Sequence, residues 1–156
     1  MPVSKNLVIS KFGNPCDVLE IREETLPDDL KNDEVLVKVL YSPINPADNL
    51  TILGLYPAGI TEFPHTPGFE GVVEVVKSAV SEFATGDHAL VGAKSWGKWR
   101  QFGILNKSDL IKIPKELPTE IAATLVVNPL TAYLYVEFAL LNLILLHLPL
   151  SSWLLE

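Results

Sequence analysis

Short runs of β-forming residues recur from residue 7 to residue 113, and each run is bounded by proline, glycine or asparagine. In the clearest run, residues 34–40, alternation places Val35, Val37 and Val39 on one face. Further strands are predicted at residues 7–9, 18–21, 71–76, 88–91, 99–104 and 110–113. Many short strands at this spacing predict a compact β-barrel or a folded-over sheet.

Helical signals are confined to a few places. Residues 46–53 predict a short helix, because Asn45 suits the N-cap, Pro46 suits the first helical position and Gly54 ends the pattern. Two more helices are predicted near the C-terminus, at residues 119–125 and 129–138.

Residues 139–156 form a leucine-rich tail that Asn142, His147, Pro149 and two serines interrupt. The tail lacks the apolar stripe of a surface helix, and its unbroken apolar runs are too short to favour a membrane span. Three interpretations stay open: a non-native ending (alternative splicing, a frameshift or a gene-model error), a buried helix, or a membrane-contacting segment.

Composition excludes some functions. The chain has 156 residues and a formal net charge of −7, which disfavours nucleic acid because its phosphates would be repelled. The single cysteine, Cys16, excludes an internal disulfide framework and a multi-thiolate metal site. The N-terminus shows neither an apolar signal core nor an Arg-rich leader, which favours the cytosol or a sequence whose leader is missing.

A series of short motifs carries a family resemblance. In chain order they are Asn45-Pro46-x-Asp48, Gly54-x-Tyr56-Pro57, Pro67-Gly68-x-Glu70-Gly71, Gly86-Asp87, Gly97-x-Trp99-Arg100 and Asn128-Pro129-x-Thr131-Ala132-Tyr133. Over residues 7–138 this order resembles the medium-chain dehydrogenase/reductase superfamily, and most of all its mitochondrial 2-enoyl thioester reductases (trans-2-enoyl-CoA reductases). The blocks at 97–100 and 128–133 favour that branch over the quinone oxidoreductases.

The resemblance implies a β-rich α+β fold: a GroES-like, partly open β-barrel with short helices. The implied organisation is a catalytic (substrate) domain at residues 1–127, a helix at 128–138 that leads toward a nucleotide-binding domain, and the divergent tail at 139–156. No G-x-G-x-x-G turn occurs in the sequence, so the expectation is that the Rossmann domain is absent.

The implied reaction is the NADPH-dependent reduction of enoyl-CoA or enoyl-ACP thioesters in fatty-acid synthesis. The chain is expected to be inactive alone, because it lacks the backbone cradle for the NADPH pyrophosphate. The resemblance also implies residence in the mitochondrion and assembly as a homodimer. Two alternatives stay open: a non-catalytic truncated isoform or pseudoenzyme that only binds a partner or ligand, and a zinc-free quinone oxidoreductase-like enzyme.

The resemblance also predicts a zinc-free enzyme. Phe69 stands where zinc-dependent relatives have a histidine ligand, and no Cys or His lies near Asn45 in the sequence. A catalytic zinc needs three protein ligands, which His65 and His88 alone cannot supply.

Without a metal, another group must stabilise the enolate that forms when a hydride reaches the β-carbon of the thioester. A phenol is neutral at pH 7, so it can donate a hydrogen bond to the developing charge and then its proton to the α-carbon. By resemblance, Tyr56 is this proton donor.

Other motif residues have both a structural and a functional interpretation. Asn45 is a helix cap or a contact to cofactor or substrate, and Asp48 is a solvated carboxylate or, with less support, such a contact. Glu70 is predicted to be partly buried, with a structural hydrogen-bonding role favoured over catalysis.

The last two motif blocks supply the remaining candidate residues. Trp99 and Arg100 combine an apolar plane with a cationic fork, which suits a thioester bearing phosphate, or else they are a core tryptophan and a surface arginine. Asn128 and Thr131 are predicted binding residues at the start of the last helix, with the Thr131 hydroxyl near the nicotinamide carboxamide by resemblance.

Overall fold

The computed structural model describes residues 2–56, 60, 62–92 and 97–147, without the side chains of residues 143–147. In these segments the strands are β1 (Val3–Ile9), β2 (Leu19–Thr25), β3 (Glu34–Tyr41), β4 (Val72–Ser78), β5 (His88–Val91), β6 (Phe102–Asn106) and β7 (Leu110–Ile113). The helices are α1 (Pro15–Val18), α2 (Pro46–Ile52), α3 (Thr119–Ala122) and α4 (Asn128–His147).

The strands form two unclosed antiparallel sheets. One sheet has five strands in the order β6-β3-β4-β5-β7, and the other pairs β1 with β2. Backbone bonds join the smaller sheet to the rest: the amide of Leu7 donates to the carbonyl of Trp99 (2.8 Å), and Ile9 and His65 exchange two bonds. The predicted β-rich, folded-over architecture is therefore confirmed.

The main core lies on β3 and its neighbours. Val35 and Val37 are fully buried and Val39 packs partly buried against them, as the alternation predicted. Leu36 on the opposite face of the strand is also buried, whereas Lys38 on that face is exposed. A second core cluster brings Ala122 and Ala123 at the end of α3 against Val72, next to the loop that carries Glu70.

Several element boundaries differ from the sequence predictions. Residues 15–18 form the short helix α1, because the Asn14 side chain accepts from the Cys16 amide and Pro15 suits the first turn. Cys16 therefore lies in a helix, and the following strand starts at Leu19 and continues to Thr25. The strand predicted at 99–104 begins only at Phe102.

The last helix is longer than predicted. α4 continues past Phe138 to His147, in keeping with the strong helix preference of its leucines and alanine, and the Asn142 side chain donates to the Phe138 carbonyl (2.8 Å). The helix predicted at 119–125 is shorter, ending at Ala122. The division of the chain at residues 127 and 138 stays a prediction.

α4 exposes apolar and aromatic side chains on all sides over residues 133–136. The side chains of residues 133–136 are all exposed, and four consecutive positions about 100° apart point in every direction around the helix. Within the part of the chain that the structure describes, no helix has the length and apolarity to cross a bilayer. Residues 148–156 of the leucine-rich tail lie outside the described residues.

Candidate functional site

The N-terminus of α2 is built around a buried carboxylate. Asn45 takes the extended N-cap conformation before Pro46, and its backbone amide donates to Oδ2 of Asp48 (2.7 Å). The other oxygen, Oδ1, accepts the backbone amide of Phe69 (3.1 Å). Asp48 is fully buried, so the interpretation as a solvated carboxylate was wrong. The carboxylate joins the first motif block to the loop that contains Phe69.

The surroundings of Asp48 have opposing effects on its pKa. Burial raises the pKa of this carboxyl, while the two amide hydrogen bonds, from Asn45 and Phe69, lower the pKa. The nearby Glu70 raises the pKa further and Lys98 lowers it. Asp48 is therefore electrostatically coupled to two other charged residues of the site.

Glu70 is the second fully buried carboxylate. Its Oε1 accepts from Nδ2 of Asn45 (2.9 Å), and its Oε2 accepts from the backbone amide of Val127 (2.9 Å). Asn128 in turn donates from Nδ2 to Oδ1 of Asn45 (3.3 Å). The predicted hydrogen bonding of Glu70 is confirmed, although the residue is buried fully rather than partly. Three motif blocks that are distant in sequence meet through this short network.

A glycine turn directs the chain from α2 to Tyr56. The amide of Gly54 donates to the Thr51 carbonyl (3.0 Å) and that of Leu55 to the Leu50 carbonyl (2.8 Å), which is a Schellman motif. Gly54 has φ +75°, and a Cβ there would lie 2.9 Å from Cγ of Phe12. Only glycine fits this turn without strain, and the turn sets where Tyr56 can lie.

Tyr56 lies at the surface beside Phe69. Its side chain is 43% exposed, and the two rings meet edge to face with centroids 5.5 Å apart and an interplanar angle of 71°. Since Phe69 is anchored through its amide to Asp48, the Tyr56 ring rests on a loop that the buried network fixes. Its role as proton donor stays a prediction.

Gly68 lets two motif segments approach backbone to backbone. The amide of Lys98 donates to the Gly68 carbonyl (3.3 Å) and that of Trp99 to the Pro67 carbonyl (3.1 Å). Gly68 has φ +107°, and a Cβ there would lie 2.7 Å from Cδ1 of Trp99. The Pro-Gly-x-Glu-Gly and Gly-x-Trp-Arg blocks therefore form one packed unit.

Lys98 is a buried cation in this unit, 1% exposed, and its Nζ donates to the Gly92 carbonyl (3.1 Å). Burial lowers the pKa of Lys98 to about 8, and the carboxylates of Asp48, Asp109 and Glu70 oppose this effect. Sequence reasoning missed this burial, because lysine is almost always exposed. The signal that could have found it is the place of Lys98 inside the Gly-x-Trp-Arg block.

Trp99 and Arg100 have contacts of their own. Trp99 packs against Ile9, Val18 and Ile52, and within the described residues its buried Nε1 has no hydrogen-bond partner.

Arg100 donates from Nε to the Gly97 carbonyl (2.8 Å) and has a guanidinium nitrogen 3.7 Å from the Glu24 carboxylate, beside a cleft of about 490 Å³. Binding of a phosphate-bearing thioester by this pair stays a prediction.

Thr131 is exposed one turn into α4, where Oγ1 donates to the Val127 carbonyl (2.5 Å). Asn128 is exposed at the start of the same helix and reaches the network through Asn45. Of the predicted binding residues, Asn45 and Asn128 are therefore in direct contact. Contacts of any of these residues with a cofactor or substrate stay predictions.

Among the residues that the structure describes, no three His, Cys, Asp or Glu side chains lie close enough together to hold a metal ion. The zinc-free interpretation rests on Phe69 and the motif pattern, and stays a prediction.

The similarity of the chain to a known protein family identifies its fold. Residues 31–115 match the alcohol dehydrogenase GroES-like domain. The chain belongs to this family. With it, the predicted GroES-like fold and the resemblance to the medium-chain dehydrogenase/reductase superfamily are confirmed.

Relatives with known names show which branch of the superfamily the chain resembles. The chain is 38% identical over 135 residues to the mitochondrial enoyl-[acyl-carrier-protein] reductase of Caenorhabditis elegans, which covers 86% of the chain and 39% of the relative. The chain thus spans about two fifths of that relative's length.

Solved structures agree with this placement. A complex of Etr1p with NADP and crotonyl-CoA is 36% identical with a TM-score of 0.78, covering 86% of this chain and 43% of that one. The Etr1p/Etr2p heterodimer of Candida tropicalis, a mitochondrial 2-enoyl thioester reductase, is 35% identical with a TM-score of 0.76 and the same two coverages. A putative NADPH:quinone reductase from Bacillus thuringiensis is 33% identical with a TM-score of 0.75, covering 85% and 40%.

Proposed function

We propose that this chain supplies the substrate-side domain of an NADPH-dependent reductase of trans-2-enoyl thioesters, enoyl-CoA or enoyl-ACP, in fatty-acid synthesis. The observation that carries the proposal is the Asn128–Asn45–Glu70 network, which brings three motif blocks together beside the loop on which the Tyr56 ring rests. The 38% identity to an enoyl-[acyl-carrier-protein] reductase supports the substrate class.

The proposed chemistry is a conjugate reduction. When bound, NADPH would supply the hydride for the β-carbon of the enoyl thioester, and the electron pair of the double bond would move onto the α-carbon and the thioester oxygen. The Tyr56 hydroxyl donates a hydrogen bond to that enolate and then its proton to the α-carbon, after which water restores the phenol. Its 43% exposure supports this role, since a substrate can reach the ring from solvent.

The residues of this chain suit the nicotinamide end of NADPH but not its pyrophosphate. The Thr131 hydroxyl already donates to Val127, so its lone pairs stay available to accept an N–H of the nicotinamide carboxamide. No G-x-G-x-x-G turn in the 156 residues provides a pyrophosphate cradle. We therefore propose that hydride transfer requires a nucleotide-binding part in addition to this chain.

The experiment follows NADPH oxidation with crotonyl-CoA. The chain is assayed alone and joined to the remaining part of the Candida tropicalis enzyme. We expect no turnover alone and turnover in the chimera, with a loss of about 10²-fold or more in kcat for Tyr56→Phe, as for removal of a general acid. Tyr41→Phe is the matched control, because Tyr41 is similarly exposed and bonds only Glu120 among the contacts described.

A folded, active chimera in which Tyr56→Phe keeps full activity would contradict the proton-donor role. A chimera that binds crotonyl-CoA without turning it over would favour the non-catalytic alternative.

A quinone substrate is the second candidate, because the similarity to the Bacillus thuringiensis protein is almost as high. The same chimera is therefore assayed with 1,4-benzoquinone. A higher kcat/KM for the quinone than for crotonyl-CoA would replace the first proposal.

The relatives also suggest a cellular location and a subunit assembly for this protein. We propose mitochondrial residence, since the enoyl reductase relatives are named as mitochondrial, and assembly with a second reductase subunit, since Etr1p pairs with Etr2p. Import into isolated mitochondria and sedimentation of the chimera test these two points.

A further inference from the structure

Three charged side chains are buried together in the site. Asp48 and Glu70 are fully buried and Lys98 is 1% exposed. Charges removed from water are tolerated only when other charges and hydrogen bonds compensate them. Each carboxylate accepts two N–H groups, and the lysine ammonium is the cation that acts on both.

Lys98 is also joined to the loop at residues 67–71. Its backbone amide donates to Gly68 (3.3 Å), and its Cβ and Cγ lie so near Gly71 that a Cβ there would be 3.4 Å from both. The same loop carries Phe69, whose amide is held by Asp48 and whose ring contacts Tyr56. Lys98 and the tyrosine are therefore connected through one short loop.

We propose that Lys98 is a positioning residue: its buried ammonium balances the Asp48 and Glu70 carboxylates and so holds Phe69, and with it the Tyr56 ring, in place. The proposal concerns the architecture of the chain itself. It is tested without any reductase activity, so its failure and that of the proposed function are distinguishable.

Charged groups on several elements affect the ammonium. Asp48 on α2, Glu70 in the loop before β4 and Asp109 in the turn before β7 raise the pKa of Lys98, and Arg100 in its own segment lowers it. Because the pKa of Lys98 is lowered to about 8, the balance of charge changes within an accessible pH range. Loss of the proton leaves the two carboxylates without this counter-cation.

The experiment is a pH titration of the full chain by two-dimensional ¹H–¹⁵N NMR from pH 6.5 to 9.5. The probes are the backbone amides of Asn45 and Phe69, which both donate to Asp48, and the ring protons of Tyr56, which sense the Phe69 ring. Cys16→Ser is included in every sample, so that its exposed thiol cannot contribute.

We expect these probes to shift with one common midpoint near pH 8. Lys98→Arg keeps the cation, so its signals should stay at the low-pH wild-type positions up to pH 9.5. Lys98→Met removes the cation in a side chain of similar length, so its signals should match the high-pH wild-type positions throughout.

Two results would overturn the proposal: wild-type signals that do not move in this range, or signals that titrate equally in Lys98→Met. If neither variant folds, direct detection of the Lys98 ¹⁵Nζ in the wild type decides. A midpoint shared with the Phe69 amide supports the proposal, and different midpoints refute it.

Discussion

The Asn45 side chain donates to the Glu70 carboxylate over 2.9 Å, and both residues are buried. This contact joins the N-terminus of α2 to the loop before β4. Through the other Glu70 oxygen and the Val127 amide, it also fixes the approach to α4. The stability of the site therefore depends on one carboxylate with two acceptor oxygens.

Glu70→Gln should destabilise the chain by about 2 kcal/mol, because one of the two N–H donors would then face an NH₂ group. Urea unfolding followed by circular dichroism measures the change. Glu116→Gln, at an exposed position, is the control and should change the free energy of unfolding by less than about 0.5 kcal/mol. Equal effects at the two positions would contradict the network.

Asp48→Asn should likewise cost about 1–3 kcal/mol, since an amide offers one acceptor oxygen to the Asn45 and Phe69 N–H groups. Because Lys98 and Asp48 influence each other, the double variant with Lys98→Met should be less destabilised than the sum of the single variants. Strict additivity would show that the two charges are independent.

Gly54→Ala and Gly86→Ala form a matched pair. Both glycines have positive φ, +75° and +83°, so alanine strains each by about 1–2 kcal/mol. Only at position 54 does the new Cβ also meet a ring, 2.9 Å from Phe12, whereas at position 86 the nearest atom is Nζ of Lys115 at 3.8 Å. Thermal unfolding should show a lower Tm for Gly54→Ala, and a reversed order would contradict this packing.

The pH dependence of stability should show the lowered pKa of Lys98, about 8 against an ordinary value of 10.5. Between these values the unfolded chain binds more protons at this residue, so the free energy of unfolding should rise with pH from about 8 to 10.5. The gain is at most about 3 kcal/mol. Lys98→Met should lack this rise in urea titrations, and an identical rise in the variant would assign it to other groups.

The features of this fold that depend on neighbouring residues were predicted from the sequence. The N-cap at Asn45, Pro46 in the first turn and the glycine after α2 all follow from neighbouring residues, and all three are confirmed. Strand β3 was predicted from its alternation. By contrast, α4 was predicted to end at Phe138, because the residues after it lack the apolar stripe by which a surface helix is recognised; their leucines nevertheless have a strong helix preference.

The buried charges could not be predicted in the same way. Whether Asp48, Glu70 or Lys98 faces solvent depends on which distant segments cover it, and sequence spacing contains no such information. Average behaviour places lysine and aspartate outside, so Asp48 was assigned to the surface and Lys98 was overlooked, whereas Glu70 was predicted to be partly buried. The contact between Asn45 and Asn128 was missed for the same reason, although both had been chosen as binding residues.

The hydrogen bonds around Asn45 have a consequence for the order in which the molecule folds. They join partners 25 and 83 positions apart along the chain. Contacts between such distant positions require closure of long loops before any compensating energy is gained, so they form slowly. On the ribosome, the Asn45–Asn128 bond cannot form until Asn128 has emerged from the exit tunnel, and this part of the molecule is completed after the strands that support it.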